Sequence, residues 1–411
     1  MENVNVVFVG HIDHGKSTTI GRLLYDSDSV ESERVEEIQK FTDELKRRFE
    51  FAYFLDALEE ERKGDMTIDT TRVVFKGKDR LYTIIDSPGH KEFLKNMLTG
   101  ASQADAAILI LSVEEGIQEQ TRRHIFLVSL LGIKHIVVAI NKMDAVGYDQ
   151  QAFEKIKDEM KKFLGSLGFE AEKIPFVPIS AREGDNVFKR SEKMPWFDGT
   201  LISALDRTVS VREKLLTKPL RFAVQDVYDV SGEKIVVGRV ESNVIRQNDE
   251  LAFQPSGIHV RVERIKVFEG ELKEAKAGDA VGLVLSPPTT IRRGEVCSLA
   301  KDPPKAVGEF SGELVLLFGE LRKGDTIVVR CSTAKVNCEV QDISKKINSE
   351  TGESIEELSD VVNPNEAAIV KFRALEPLVV EKFSEIPELG RFVIAKNDKN
   401  VGAGVTLEVG K

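Results

Sequence analysis

One loop near the start constrains this chain more than any other stretch: Gly10-His11-Ile12-Asp13-His14-Gly15-Lys16-Ser17. It spells G-x-x-x-x-G-K-[ST] and follows Val4–Val9, an apolar run of the kind that forms a buried strand. Ser17 to Asp26 then reads as a helix, completing the strand–loop–helix context that this pattern requires. The two glycines let the backbone curl until successive N–H groups point inward, and the helix N-terminus adds unpaired donors and the positive end of its dipole. Such a nest holds phosphate. Asp13, His14, Gly15, Lys16, Ser17 and Thr18 are therefore candidate nucleotide-binding residues. Lys16 is placed to reach the outer phosphates and the Ser17 hydroxyl to ligate Mg²⁺.

Residues 1–210 alternate short β-rich runs with helical stretches, the pattern of a P-loop α/β domain with a mostly parallel sheet covered on both faces. Strands are expected over 4–9, 71–76, 81–86, 106–112, 135–140 and 175–179, and helices over 15–26, 31–63, 90–99, 118–131, 150–167 and 200–207. Near 211–219 a polar stretch ends in Pro219, and the pattern changes to short strands with turn signals such as Asp229-Val-Ser-Gly232 and Ala277-Gly-Asp279. Lys301-Asp-Pro-Pro-Lys305 makes a second break. The expected organisation is an α/β domain at 1–212 followed by two all-β barrels at 219–302 and 308–411. Asn400-Val-Gly-Ala-Gly404 reads as a strand with glycines at tight turns.

Three further stations carry chemistry. Asp86-Ser87-Pro88-Gly89-His90 closes an expected strand, where open α/β sheets bind ligands. There Asp86 would hold Mg²⁺, and the Gly89 N–H would bond a γ-phosphate oxygen that exists only in the triphosphate, which makes the loop a switch. His90 could align an attacking water or simply cap the helix that follows it. Asn141-Lys142-Met143-Asp144 closes another strand. A carboxylate at Asp144 can accept from guanine N1–H and the 2-amino group, an arrangement adenine lacks. Ser180-Ala181 follows the last strand of the domain, where backbone N–H groups would meet the guanine O6. From residues alone, Thr67 reads as a threonine at a β edge.

The chain has 411 residues with 58 Lys+Arg against 68 Asp+Glu, a formal charge of −10. That argues against a broad basic face for nucleic acid, although a local patch survives such a sum. Ala106–Leu111, the main apolar run, is far too short to span a bilayer. Cys297, Cys331 and Cys338 lack metal-type spacing and imply no disulfide framework. With no charged leader ahead of the first strand, a soluble, cytoplasmic protein without a membrane partner is expected.

These stations, in this order, resemble the GTPase superfamily of translation factors, and the likeness extends over the whole chain. A nucleotide domain with two β-barrels is the layout of elongation factors Tu and 1-alpha. The resemblance implies GTP/GDP and Mg²⁺ as cofactors. It makes Thr67 the switch I threonine and a Mg²⁺ ligand with Ser17 and Asp86, and it makes His90 the catalytic histidine, with Ile12 and Met66 as the apolar pair beside it. Arg22-Leu-Leu-Tyr-Asp26, Gln120-Thr-Arg-Arg-His124, Gly184-Asp-Asn-Val187 and Pro219–Asp229 resemble the large, GTP-hydrolysing subunit of bacterial ATP sulfurylase. That resemblance implies a small catalytic sulfurylase subunit as partner, and sulfate activation is the leading expectation. Phe51–Asp56, Thr99–Ala107, Ala367–Val370 and Leu389-Gly-Arg-Phe392 instead resemble archaeal-type elongation factor 1-alpha. They imply the alternative, delivery of aminoacyl-tRNA to the ribosome. Two departures stand out. Asp65 occupies the place where the family carries glycine before the switch I threonine, and Glu309–Arg330 lacks the long histidine- and proline-bearing loop of the elongation factors.

Overall fold

The computed structural model describes residues 2–30, 33, 35, 36, 51, 53, 72–78, 80–85, 104–208, 216–268, 270–348, 354–355 and 360–410. The helix expected over 90–99 lies outside these residues, as does nearly all of that expected over 31–63. The chain divides near residue 210 into two compact units.

The first unit is built on a six-stranded sheet: β1 (Glu2–Gly10), β2 (Arg72–Lys76), β3 (Arg80–Ile85), β4 (Ala106–Ser112), β5 (His135–Asn141) and β6 (Phe176–Pro178). Their spatial order is β2-β3-β1-β4-β5-β6. The expected helices appear as α1 (Lys16–Asp26), α2 (Glu119–Leu130), α3 (Gln150–Ser166) and α4 (Leu201–Thr208). β4 is buried along its whole length, as a strand covered on both faces must be. The α1 residues Ile20, Leu23 and Leu24 add to this core. α3 starts at Asp149, whose carboxylate accepts from the Gln151 and Ala152 N–H groups at 3.2 and 3.1 Å.

The sheet is parallel except at one edge, where β2 runs antiparallel to β3. Only residues 77–79 separate these strands, too few for the crossover that a parallel pair needs. After β1 the chain builds outward to β3 on one side and then returns to β4 on the other, so the order reverses at β1. The carboxyl end of β1 therefore opens onto the crevice where ligands of such sheets lie.

The second unit contains two closed six-stranded barrels. The first joins Glu250–Gln254, Val296–Leu299, Arg221–Val230, Glu233–Ser242, Ala280–Ser286 and Ile258–Val267 in that order, and the last strand pairs back to the first. The second joins Thr326–Cys331, Arg391–Lys396, Lys399–Val409, Ala306–Leu316, Glu366–Val379 and Ala334–Asn348, closed in the same way. Closure removes the exposed edges that so many strands would otherwise present. Phe222 and Phe253 fill one barrel, and Phe310, Phe372 and Phe392 the other. Val296, Val379, Ile386 and Leu389 form an apolar seam that draws on both barrels. All three cysteines are buried and unpaired.

One expectation fails here. Gly402 and Gly404 do not mark turns but lie inside the strand Lys399–Val409. A Cβ on Gly402 would meet the Val315 carbonyl at 2.5 Å, and one on Gly404 would meet the Glu313 carbonyl at 2.4 Å. The neighbouring strand and a core aromatic occupy the space that side chains would need.

Candidate nucleotide-binding site

β1 ends at Gly10, with φ of +146°. A Cβ there would stand 2.3 Å from the Ile110 carbonyl of β4. The loop then passes through Asp13 in the left-handed region, φ +57°, to Gly15 at φ +89°, which caps α1. The Lys16 ammonium folds back across the loop, donating to the Gly10 and His11 carbonyls at 3.0 and 2.7 Å. Ser17 is exposed in the first turn of α1 and Thr18 is half-buried beside it, whereas Thr19 is buried and donates to the Gly15 carbonyl at 2.7 Å. Ile12 stands out from the loop, 42% exposed.

Asn141, the last residue of β5, joins three stations. Its Nδ2 donates to the His14 carbonyl at 2.9 Å, and its Oδ1 accepts the Ala181 N–H at 2.9 Å. Gly15 is required here twice over, because its φ disfavours any side chain and an added Cβ would sit 2.3 Å from Asn141 Nδ2. Lys142 takes a left-handed conformation, φ +65°, and Met143 is buried with its N–H on the Ile179 carbonyl at 3.2 Å. This backbone presents Asp144 at the start of the short 3-10 turn Met143–Val146. The Ser180 hydroxyl donates to Asp144 Oδ1 at 2.6 Å, the only hydrogen bond to that carboxylate among the described residues. The carboxylate is thereby aimed while keeping acceptor capacity for a ligand. The Ser180 and Ala181 N–H groups, expected at the guanine O6, are directed within the chain, to the Asp185 carbonyl at 3.1 Å and to Asn141 Oδ1. In this structure the two residues hold the Asp144 and Asn141 side chains in place.

Glu115 is a site residue that the sequence reading missed. It lies just beyond the carboxyl end of β4 and accepts from Lys142 Nζ at 2.9 Å, with its other oxygen 3.5 Å from His14 Nε2. The Lys142 hydrogen bond holds the Glu115 carboxyl below the usual carboxylate range. The His14 ring is fully buried beneath the loop, its Nδ1 3.3 Å from the Ile110 carbonyl. Burial lowers its pKa to about 4, so the imidazole is neutral at pH 7. His14 thus serves the site through its backbone, with its ring as packing. Acidic residues directly after a buried strand were the one available signal for Glu115.

Thr67, Asp86, Gly89 and His90 lie outside the described residues, as does Met66. β3 does end at Ile85, immediately before Asp86, and runs parallel to β1. Its carboxyl end therefore lies on the same side of the sheet as the phosphate loop. A glycine-lined loop with a lysine, beside an asparagine hub and an aimed carboxylate, suits a guanosine phosphate: anion at one end, an N–H pair at the other.

Comparison with known proteins agrees with this geometry. Residues 1–213 match the family described as elongation factor Tu GTP binding domain, 233–298 match elongation factor Tu domain 2, and 309–407 match the GTP-eEF1A C-terminal domain-like family. Elongation factor 1-alpha of Archaeoglobus fulgidus is 44% identical over 415 residues, covering 99% of this chain and 98% of the relative. The Methanocaldococcus jannaschii protein of the same name is 42% identical, with 99% and 97% covered. The Aeropyrum pernix one is 41% identical, with 99% and 97% covered.

These relatives overturn the expectation of a sulfurylase subunit and the sulfurylase partner that came with it. The stretches that suggested it lie mostly in the GTP-binding domain: Arg22–Asp26 is in α1, Gln120–His124 is in α2, and Gly184–Val187 follows Ser180-Ala181. Such residues serve an engine that many GTPases share and carry little information about the partner. The missing loop in Glu309–Arg330 is equally uninformative, since the likeness to elongation factor 1-alpha runs through that region.

Proposed function

This chain belongs to the elongation factor Tu and 1-alpha family of GTPases, and from that premise we propose that it delivers aminoacyl-tRNA to the ribosome. The observation that carries this reading is the reach of the likeness, which continues from the nucleotide unit through both barrels. A GTPase engine alone would fit many partners. The same engine followed by both barrels of a translation factor fits this one best.

In this reading the loop N–H groups from Asp13 to Thr18 and the Lys16 ammonium cradle the phosphates. Asp144 reads guanine N1–H and the 2-amino group, Lys142 lines the base, and Asn141 locks the phosphate loop to the base-reading loop. Ser17, with Thr67 and Asp86, would hold Mg²⁺, which when bound neutralises charge on the phosphates. The Gly89 N–H senses the terminal phosphate, and His90 orients the attacking water. Among the described residues no helix is long and apolar enough to cross a membrane.

The test is protection of the aminoacyl ester. With the full chain present, spontaneous deacylation of aminoacyl-tRNA should slow with GTP and not with GDP. Equal rates under both conditions would reject the proposal. In the same assay, Asp144→Asn should move protection from GTP to xanthosine triphosphate, because the amide offers a donor where xanthine has a carbonyl.

A further inference from the structure

A closed circuit of hydrogen bonds surrounds Asp144. Its Oδ1 accepts from the Ser180 hydroxyl at 2.6 Å, and the Ser180 N–H donates to the Asp185 carbonyl at 3.1 Å. The Asp185 carboxylate accepts from the Tyr148 hydroxyl at 2.8 Å, and the Tyr148 N–H returns to the Met143 carbonyl at 2.8 Å, beside Asp144. Three more groups tighten the circuit. Ser191 Oγ donates to Asp185 Oδ1 at 2.7 Å, and Lys193 Nζ donates to Tyr148 Oη at 3.0 Å and Asp185 Oδ2 at 3.1 Å. Trp196 Nε1 donates to the Tyr148 carbonyl at 3.3 Å.

Tyr148 makes these bonds from the left-handed region, φ +62°. That conformation costs a non-glycine residue on the order of 1 kcal/mol, and it persists only where surrounding contacts enforce it. The cost has a purpose here. Asp144 sits on a short 3-10 turn that includes exposed Ala145 and is followed by exposed Gly147. Two hydrogen bonds to one base edge demand a fixed carboxylate angle, since both weaken steeply with misalignment.

We infer that Tyr148 and Asp185 form a brace that sets the angle at which Asp144 meets the base, making them positioning residues for guanine selection. The inference rests on the reading of Asp144 as the guanine acceptor. Neither residue touches the nucleotide in this role; each acts through the turn and the loop that carry Asp144 and Ser180. Burial alone would raise the Asp185 pKa, but its bonds from Ser191, Tyr148 and Lys193 outweigh that and hold it below the usual range, so the brace is anionic.

The experiment compares GDP with inosine diphosphate, which lacks the 2-amino group, on full-length wild type and Tyr148→Phe. The variant keeps the ring and removes only the bridging hydroxyl. GDP binding should weaken about 10-fold, as for loss of one well-placed hydrogen bond in a network. Inosine diphosphate, held by one bond fewer, should weaken less, so the GDP-to-inosine preference should fall about threefold or more. Equal weakening of both nucleotides would make the brace merely structural and overturn the proposal, and so would no change in either. Should Tyr148→Phe fail to fold, Asp185→Asn carries the same ratio test. A wild type without preference for GDP would instead refute Asp144 as guanine reader, and the brace with it.

Discussion

Glycine serves different ends in the two units, a polar loop in one and an apolar core in the other. At Gly10 and Gly15 the backbone adopts φ of +146° and +89°, and the missing side chain leaves room at a strand end and a helix start. That room is taken by the Ile110 carbonyl of β4 and by Asn141 Nδ2, the groups against which the phosphate loop is shaped. In the second barrel the vacated space is filled by a core aromatic ring. Phe392 lies where side chains on Gly312 and Gly404 would stand, 2.6 and 2.7 Å from the built Cβ positions, and packs edge-on against Phe310 and Phe372. The first use shapes the loop of the candidate site, and the second gives packing density. A substitution in one place should therefore leave the other property untouched.

The most severe way to break that comparison is Gly15→Ala. It combines an unfavourable φ with a Cβ only 2.3 Å from the Asn141 amide, which itself holds the loop through the His14 carbonyl. We expect GDP affinity to fall more than about 100-fold by calorimetry, because loop and hub cannot both keep their geometry. Hydrogen-exchange protection of the barrel strands should stay as in wild type. Loss of barrel stability with intact GDP binding would invert the argument.

Gly404→Ala is the converse and should be milder. The methyl must displace Phe392 or the Glu313 carbonyl, an overpacking that costs about 1–3 kcal/mol in a filled core. Urea unfolding should show that loss, with GDP affinity unchanged to within about twofold. The lone tryptophan, Trp196, lies in the nucleotide unit, so its fluorescence follows that unit, while hydrogen exchange of the barrel strands follows the barrels.

This contrast also explains what could be read from the sequence. Phosphate and guanine recognition would demand particular residue types at strand ends, so Gly10–Ser17, Asn141–Asp144 and Ser180-Ala181 stand out as candidates in the sequence, and the structure brings them together around Asn141. The glycines of the strand Lys399–Val409 read as turns because no local pattern reveals a ring arriving from the preceding strand, Arg391–Lys396. Glu115 with Lys142, 27 positions apart, and Tyr148 with Asp185, 37 apart, are contacts between distant loops that leave no spacing signature. The antiparallel β2 was legible in principle, since its three-residue link to β3 leaves no other course. The partner was misread because short likenesses cluster where all such GTPases must agree.

The smallest expected effect sharpens the comparison through pH. Each unit has a buried titratable group, and the two have opposite signs. In the nucleotide unit, burial holds His14 at about 4, below its ordinary 6.5, so its contribution to stability is full above 6.5 and declines as pH falls toward 4. In the barrel unit, burial pushes Glu241 up to about 7 from 4.5, with Glu388 adding to the shift and Arg239 and Arg391 opposing it. Its folded pKa is raised, so its contribution is full below 4.5 and is lost as pH rises through 7. Glu241→Gln keeps the side chain's shape and removes the titration. Between pH 5 and 8 the wild-type barrels should lose about 1–2 kcal/mol that the variant keeps, while Trp196 fluorescence reports the same nucleotide-unit stability in both. A variant whose barrels still weaken with rising pH would place the sensitive group elsewhere. A variant less stable at pH 8 than wild type would mean that charged Glu241 gains more from Arg239 and Arg391 than burial removes.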